Sequence, residues 1–313
     1  MAKTIETLGS LKVGHVGLGL FGGIHAGSTK QQVHDGDTIN VRALGNFGVR
    51  FLGMDTPEIS FTFPGTKQFM SLNDAKWDAF LTDPFDPKYP PLPLSQGLKT
   101  HLLGRLGAGV AANHHKHARA AEVGLESEVE ADITALGSTQ DSFEFFMAFA
   151  SDIMDQYGRL LGYINRQQKQ KPRPPDYNAR MLQAGFANAY FIWPNVNPFR
   201  KQKSLVDAVP APGTAHTVAQ QEPTFSQARQ WLKDARIAHA GIFEKVDPLR
   251  LEAFELRYLA GRRKPNRWVI DLRKNENKLH HPETYYLIPH SEDRLFVPEE
   301  YVPLFVEKGW TKA

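Results

Sequence analysis

Arg-Phe-Leu-Gly-Met-Asp-Thr-Pro-Glu, at positions 50–58, carries the strongest structural signal in this chain. Its residue pattern predicts a strand that ends at Asp55. A regular strand would place the side chains of Arg50 and Asp55 on opposite faces, because successive side chains alternate. Gly53 lies between them, and a glycine is the natural place for a bend or bulge that turns both charges toward one side. The sequence therefore predicts an interrupted strand here.

Two further segments combine short strands with charged residues. Residues 35–38 read Asp-Gly-Asp-Thr, residues 155–159 read Asp-Gln-Tyr-Gly-Arg, and each leads into a predicted strand. Taken singly, each has an ordinary explanation, since Asp and Gly favour tight turns and arginines are mostly exposed. Their order along the chain, together with residues 50–58, instead favours carboxylates and arginines gathered in one place.

The chemistry of these residues suits a hard cation and a phosphodiester. Asp37 and Asp55 offer charged oxygen ligands, and backbone carbonyls and water can complete the coordination shell. Arginine presents a planar fork that matches phosphate oxygens, on which charge develops during attack at phosphorus. Glu58, three residues after Asp55, is placed to orient or deprotonate a water molecule.

The three segments resemble the thermonuclease (staphylococcal nuclease-like) family, which carries Asp-Gly-Asp-Thr, then Arg and Asp-Thr-Pro-Glu, then Tyr-Gly-Arg in this order. The resemblance implies that Asp37 and Asp55 are calcium ligands, with the carbonyl of Thr56 beside them and Asp35 in support. Mg²⁺ or Mn²⁺ are alternatives to Ca²⁺. Each motif alone is weak, but the ordered set is specific.

The same resemblance implies a function for the remaining positions. Glu58 would be the general base, and Arg50 and Arg159 would grip the phosphate. The implied activity is hydrolysis of DNA or RNA with little sequence specificity, which breaks the bond to the 5′ oxygen and leaves 3′-phosphate ends. The alternative is a noncatalytic nucleic-acid-binding module that keeps the fold of a nuclease and has lost its chemistry.

Three aromatic residues are candidates for contact with a nucleotide. Tyr157 lies in the Tyr-Gly-Arg segment, and Tyr190 and Trp193 lie in an aromatic stretch similar to the one that flanks the nucleotide site in thermonucleases. Stacking on bases is one use of such residues. Packing in the hydrophobic core is the alternative, and the sequence leaves it open for Tyr190 and Trp193.

The predicted fold class is α+β. Short antiparallel strands suit a five-stranded OB-type Greek-key barrel, which the resemblance also implies, and three helices would complete it. Residues 1–245 would form this domain, with a large helical insertion at about 60–150, and residues 246–313 a small C-terminal α/β appendage. Within the appendage, residues 285–288 are predicted as a strand and residues 298–308 as a short helix.

Two other patterns invite ligand hypotheses that the residues support poorly. Residues 17–22 match G-x-G-x-x-G, but they do not open a helix, so closely packed glycine strands are favoured over a dinucleotide site. His114 and His117 would share one helical face in the insertion. Two imidazoles without nearby cysteine or acid make an incomplete zinc site, so a solvated or phosphate-facing helix is favoured.

Composition sets limits on partners and location. The 313-residue chain has 37 basic and 34 acidic residues and a formal net charge of +3, so nucleic acid would be bound by local patches rather than by overall charge. It has no cysteine, which excludes disulfides and thiolate chemistry. No signal peptide or membrane span is seen, so a cytoplasmic location is expected, with export as the alternative because members of the family that the chain resembles are often exported. The basic group Arg262-Arg263-Lys264 with Arg267 could extend substrate contacts or form an oligomer interface, and the sequence leaves both open.

Overall fold

The protein is described from a computed structural model, which covers residues 4–8, 11–20, 32–35 and 38–313. The chain divides into two compact units. The first consists of Met1–Arg50 and Asp152–Gly162, and the second of Phe51–Ser151 and Tyr163–Ala313. Two hydrophobic cores lie in the second unit, which contains most of the chain.

Strands in the described residues are short and form several small sheets. They are β1 (Ile5–Leu8), β2 (Leu11–Gly14), β3 (Val16–Leu18), β4 (Val33–Asp35), β5 (Thr38–Ile39), β6 (Val41–Ala43), β7 (Val49–Phe51), β8 (Gly53–Asp55), β9 (Ser60–Thr62), β10 (Phe69–Ser71), β11 (Phe145–Met154), β12 (Leu160–Arg166), β13 (Asn188–Ile192), β14 (Arg267–Asp271), β15 (Lys278–Leu279), β16 (Arg294–Pro298) and β17 (Thr311–Lys312). One sheet is four-stranded, in the order β14-β16-β13-β8, and one is three-stranded, in the order β11-β12-β7.

Helices account for much of the second unit. The α-helices of the described residues are α1 (Ala75–Thr82), α2 (Gln96–Leu103), α3 (Val110–Ala135), α4 (Tyr177–Gln183), α5 (Leu205–Ala208), α6 (Ala215–Gln221), α7 (Pro223–Ile237), α8 (Ala253–Ala260) and α9 (Val302–Glu307). Short 3₁₀ helices span Phe199–Lys201, Gly241–Phe243, Pro282–Leu287, Ser291–Asp293 and Glu299–Tyr301. None of these helices is both long enough and apolar enough to cross a lipid bilayer.

The four-stranded sheet separates the two hydrophobic cores. β16 pairs with β13 in parallel, whereas β14–β16 and β13–β8 are antiparallel. Side chains alternate between the two faces of a strand, so one face joins the core that includes Met54 and Phe191. The opposite face joins the core built with α1, α2 and α8, where Val269 and Phe296 are buried and Tyr190 packs against them. Asp55 follows Gly53 by two residues on β8, and Gly53 pairs with Tyr190, so Asp55 and Tyr190 share this second face.

The interrupted strand predicted for residues 50–58 is confirmed. β7 ends at Phe51 and β8 begins at Gly53, whose φ of +76° lies in the left-handed region. Glycine reaches that region without the steric cost of a Cβ atom. The break lets Arg50 and Asp55 belong to different sheets, the three-stranded and the four-stranded one.

The α+β class is confirmed, with strands and helices mixed along the chain. No sheet in the described part of the chain closes into a barrel, so the five-stranded barrel stays a prediction. Within the first unit, the turn predicted before β12 is present. The carboxylate of Asp155 accepts hydrogen bonds from the backbone N–H groups of Tyr157 and Arg159, and Gly158 between them has a φ of +80°.

Local interactions define where the helices begin and end. α4 begins after Asp176, whose carboxylate accepts from the N–H of Ala179, and Gly185 at φ +72° follows its end. In the insertion, the chain forms α2 and α3 rather than one helix. Gly107 and Gly109, both at positive φ, separate the two.

The C-terminal segment differs from its prediction in two ways. Residues 246–313, expected as an appendage, supply β14 and β16 to the four-stranded sheet that also contains β8. The strand predicted for residues 285–288 is wrong. Those residues belong largely to the 3₁₀ helix Pro282–Leu287, in which proline occupies the first turn and the side chain of His281 caps the start.

Candidate active site

Asp55 and Glu58 meet at one guanidinium group, that of Arg257. Nη1 of Arg257 donates to Oδ1 of Asp55 at 3.0 Å and to Oε1 of Glu58 at 2.7 Å, and Nη2 donates to Oδ2 of Asp55 at 2.6 Å. Asp55 is 2% exposed, while the side chains of Arg257 and Glu58 are 24% and 22% exposed. The three residues therefore form a charged cluster at the edge of a buried region.

The elements around this cluster hold it in place. Asp55 is the last residue of β8, and Glu58 follows on the connection to β9. Arg257 lies in the last turn of α8, where the helix dipole favours a positive charge. α8 starts with a capping box formed by Glu252 and Glu255 and buries most of its residues, so the position of Arg257 is fixed by packing.

Burial and charge act in opposite directions on Arg257. Burial lowers the pKa of its guanidinium, but the charges of Asp55 and Glu58 and the hydrogen bonds to Asp55 outweigh it, so the pKa is raised above its ordinary value. Arg257 is thus a permanent cation between two carboxylates. A positive charge is strongly favoured at this point of the structure.

His114 holds the backbone of Glu58 in place through a hydrogen bond. Its Nε2 accepts a hydrogen bond from the backbone N–H of Glu58 at 2.8 Å, and the side chain is fully buried. Burial lowers the pKa of His114 to about 3, against opposing effects of the Leu251 backbone and of the Asp55 charge. His114 is therefore neutral at physiological pH and fixes the backbone that carries Glu58.

The expected solvated helix face around His114 and His117 is wrong, because both side chains are buried. Nε2 of His117 lies 2.8 Å from the backbone carbonyl of Asp247, so each imidazole contacts a different segment. Across the described residues, no group of three or more His, Asp or Glu side chains is arranged to hold a metal ion.

Acid is expected to destabilise the protein partly through His114. The pKa of His114 is about 3 in the folded state, below the ordinary unfolded value, so the unfolded chain binds the extra proton first. The His114 contribution is complete above about pH 6.5, and it falls by about 2 kcal/mol as the pH drops from about 6.5 to about 5. Asp55, Arg257 and His117 are the charged or titratable groups whose fields act on it.

Urea unfolding of wild type and His114→Gln between pH 4 and 7 measures this effect. The glutamine keeps an acceptor for the N–H of Glu58 and does not titrate, so stability of the variant should fall less steeply with acid. Equal pH slopes for the two proteins would contradict the assignment.

Tyr190 and Trp193 have different surroundings. Tyr190 is half-buried and stacks on Phe254, with ring centroids 5.6 Å apart, and it lies beside Arg257, whose guanidinium carbon is 5.8 Å from the Tyr190 ring centre. Trp193, also a candidate for base stacking, is instead fully buried. Its Nε1 donates to the carbonyl of Ala208, so it is a core residue with no face available to a base.

The predicted phosphate-binding residues belong to the first unit. Nε of Arg159 donates to Oδ2 of Asp155 at 2.7 Å, and the Arg159 side chain is 41% exposed. Tyr157 is 55% exposed, and the Arg159 guanidinium carbon lies 5.4 Å from its ring centre. Arg50 is the middle residue of β7. The convergence of Arg50 and Arg159 on Asp55 and Glu58 stays a prediction.

The remaining predicted ligands are described less completely. Asp37 lies outside the described residues, and Asp35 is described only through its backbone, as the last residue of β4. Thr56 is half-buried and directly follows β8. Their calcium-binding roles stay predictions of the resemblance.

Sequence reasoning missed Arg257, and it noticed His114 without identifying its role. Neither lies in a recognised motif, and Arg257 is 202 residues from Asp55 along the chain. Arg257 lies in the last turn of α8, whose other seven residues are all buried, so no amphipathic pattern marked its position. His114 was noticed, but the pattern of one helix face could not reveal that the backbone of Glu58 would be its partner.

Comparison with known proteins adds no relative to this description. No protein-family model, no curated protein and no solved structure matches the chain. The functional interpretation therefore depends on the motif residues and on the geometry around Asp55 and Glu58.

Proposed function

We propose that this protein is a calcium-dependent nuclease that hydrolyses phosphodiester bonds of DNA or RNA with little sequence specificity. One observation carries the proposal. Asp55 and Glu58 each place a carboxylate oxygen within 3.0 Å of a single nitrogen, Nη1 of Arg257. Two carboxylates that converge on one cation form an environment in which a divalent cation would also be stabilised.

The donor set fits a hard cation. Both carboxylate oxygens of Asp55 accept hydrogen bonds from Arg257, so a cation at Asp55 would take the place of that guanidinium. By the resemblance, Asp37 and the carbonyl of Thr56 would add further oxygen ligands. When bound, Ca²⁺ would withdraw electron density from a nonbridging phosphate oxygen. The same resemblance proposes a five-stranded OB-type barrel for this part of the chain.

The remaining chemistry belongs to the side chains of the protein. Glu58 would orient or deprotonate the attacking water, and its side chain, 22% exposed, is accessible to solvent. His114 would act as a positioning residue, because it holds the backbone of Glu58. Arg50 and Arg159 would stabilise the charge that develops on the phosphate. The broken bond would be the one to the 5′ oxygen.

Cleavage of matched single- and double-stranded DNA and RNA tests the proposal. Each substrate is incubated with Ca²⁺, Mg²⁺, Mn²⁺ or EDTA, and the ends of the products are identified. We expect cleavage with Ca²⁺, none in EDTA, and 3′-phosphate ends. Undiminished cleavage in EDTA, or 5′-phosphate ends, would contradict the assignment.

A noncatalytic nucleic-acid-binding module is the second candidate. Arg257 favours it, because its guanidinium already neutralises both carboxylates that the nuclease chemistry requires. In this case Asp55, Glu58 and Arg257 would form a structural ion-pair cluster. Tight binding of nucleic acid without cleavage under any of the three metals would favour the module over the nuclease.

A further inference from the structure

We propose that Arg267, held by Tyr190, binds a phosphate group of a nucleic-acid strand next to the Asp55–Glu58 cluster. The proposal depends on the proposed function only for the identity of the ligand. It adds a substrate contact from a part of the chain to which the thermonuclease resemblance does not extend. Among the described residues, Arg267 has no carboxylate partner, which indicates that its positive charge can bind an anion.

Arg267 is half-buried and has no carboxylate partner in the described structure. Its Nη1 donates to the hydroxyl of Tyr190 at 2.8 Å, and its Nε is buried without a hydrogen-bond partner. A guanidinium that is partly removed from water needs compensation by an anion or by acceptors. Its charge is thus available to a ligand.

Several other arginines of the second unit are neutralised within the protein. Arg294 pairs with Glu252, Arg180 pairs with Asp132, and Arg236 pairs with Glu292. Neighbours in the predicted basic group are also engaged. Arg262 donates to the carbonyls of Pro84 and Pro90, and Lys264 pairs with Glu283. Arg267 differs from these residues in having only a neutral hydroxyl as its partner.

The sheet brings Arg267 to the candidate site. Arg267 on β14 shares a face with Val269 two residues on, and this face carries Tyr190 on β13 and Asp55 on β8. The guanidinium carbons of Arg267 and Arg257 lie 5.5 Å and 5.8 Å from the same Tyr190 ring centre. Arg267 therefore contacts the same aromatic ring as Arg257, the cation that joins Asp55 and Glu58.

Tyr190 holds the guanidinium in a defined orientation. One contact is the hydrogen bond to its hydroxyl, and the other is the attraction between the cation and the aromatic ring. Phe254 stacks on Tyr190 and limits its movement. An arginine held in this way loses less freedom when it binds a ligand, and its planar fork suits phosphate oxygens.

Equilibrium binding without turnover tests the proposal. A fluorescein-labelled single-stranded oligothymidylate is titrated in EDTA at several salt concentrations against wild type, Arg267→Gln, Arg267→Lys and Tyr190→Phe. We expect Arg267→Gln to weaken binding about tenfold and to reduce the slope of log K against log salt by about 0.7. Arg267→Lys should keep the slope, and Tyr190→Phe should weaken binding less than Arg267→Gln.

Arg273→Gln is the matched control, because Arg273 lies just after β14 and pairs with Asp271. It should leave affinity and slope unchanged. The proposal is overturned if wild type does not bind the oligonucleotide or if Arg267→Gln keeps the wild-type salt slope. It is also overturned if Arg273→Gln loses as much affinity and slope as Arg267→Gln. Because no cleavage is measured, a protein that binds through Arg267 but never cleaves would refute the nuclease and retain this contact.

Discussion

Replacing Arg257 with methionine is expected to destabilise the protein by about 3–5 kcal/mol. The substitution leaves Asp55, which is 2% exposed, as a buried charge without its bidentate partner. Glu58 loses the same partner but can reach solvent. Urea unfolding at neutral pH measures the loss, and a change below about 1 kcal/mol would contradict a buried ion pair at this position.

Calcium should rescue Arg257→Met if Asp55 is a metal ligand. A divalent cation can then neutralise the charge that the guanidinium neutralised, so Ca²⁺ should raise the stability of this variant more than that of wild type. Arg105→Met is the control, since the Arg105 side chain is 25% exposed and pairs with Glu255. The control should lose stability without recovering it in Ca²⁺. Equal responses of the two variants would count against metal binding at Asp55.

Glu58→Gln is expected to reduce the turnover of DNA by about 10²–10⁴-fold, the usual contribution of a general base. The amide cannot accept a proton from water, but its oxygen can still accept the hydrogen bond from Nη1 of Arg257 that Glu58 accepts at 2.7 Å. The folded structure should therefore survive. Single-turnover cleavage with saturating enzyme and Ca²⁺ separates this loss from any change in binding.

Glu244→Gln serves as the control, because Glu244 pairs with Lys116 rather than with Arg257. It should cleave at the wild-type rate. If Glu58→Gln cleaves within a few-fold of wild type, Glu58 is not the general base. The cluster with Arg257 would then have a structural role only, as in the binding-module alternative.

Local signals predicted those features of the fold whose causes are local. Gly53 indicated a break between Arg50 and Asp55, and a glycine at positive φ lies there. The Asp-Gln-Tyr-Gly-Arg segment at residues 155–159 indicated a turn ahead of a strand, and the carboxylate of Asp155 accepts hydrogen bonds from N–H groups of that turn. Such features depend on residues a few positions apart, so a single sequence contains the information for them.

The four-stranded sheet could not be predicted in the same way. Its strands come from residues far apart in the chain, and no short pattern reports which strand pairs with which. β8 was predicted correctly as a strand, but the sheet that joins it to β14 brings the last fifth of the chain into the main core. Residues 246–313 were therefore expected as an appendage.

The candidate site shows the same division. Asp55 and Glu58 lie three residues apart in one motif and were singled out for that reason. In the structure, both carboxylates accept a hydrogen bond from the guanidinium of Arg257. Their partner Arg257 depends on the packing of α8, which sequence spacing does not specify. The sequence left two roles open for Trp193, base stacking and core packing, because an aromatic residue in such a stretch looks alike in both cases, and the structure places it in the core.

The ion pair between Asp55 and Arg257 also bears on how the chain reaches its native state. The two residues are 202 positions apart, so a ribosome releases the carboxylate long before it releases the guanidinium. Loop closure over such a distance is slow compared with local helix formation. A nascent chain that stops before residue 257 would carry the Asp55 carboxylate in its forming interior without the guanidinium that neutralises it. Truncation of the C-terminal fifth would therefore yield a species that chaperones and proteases recognise as unfinished.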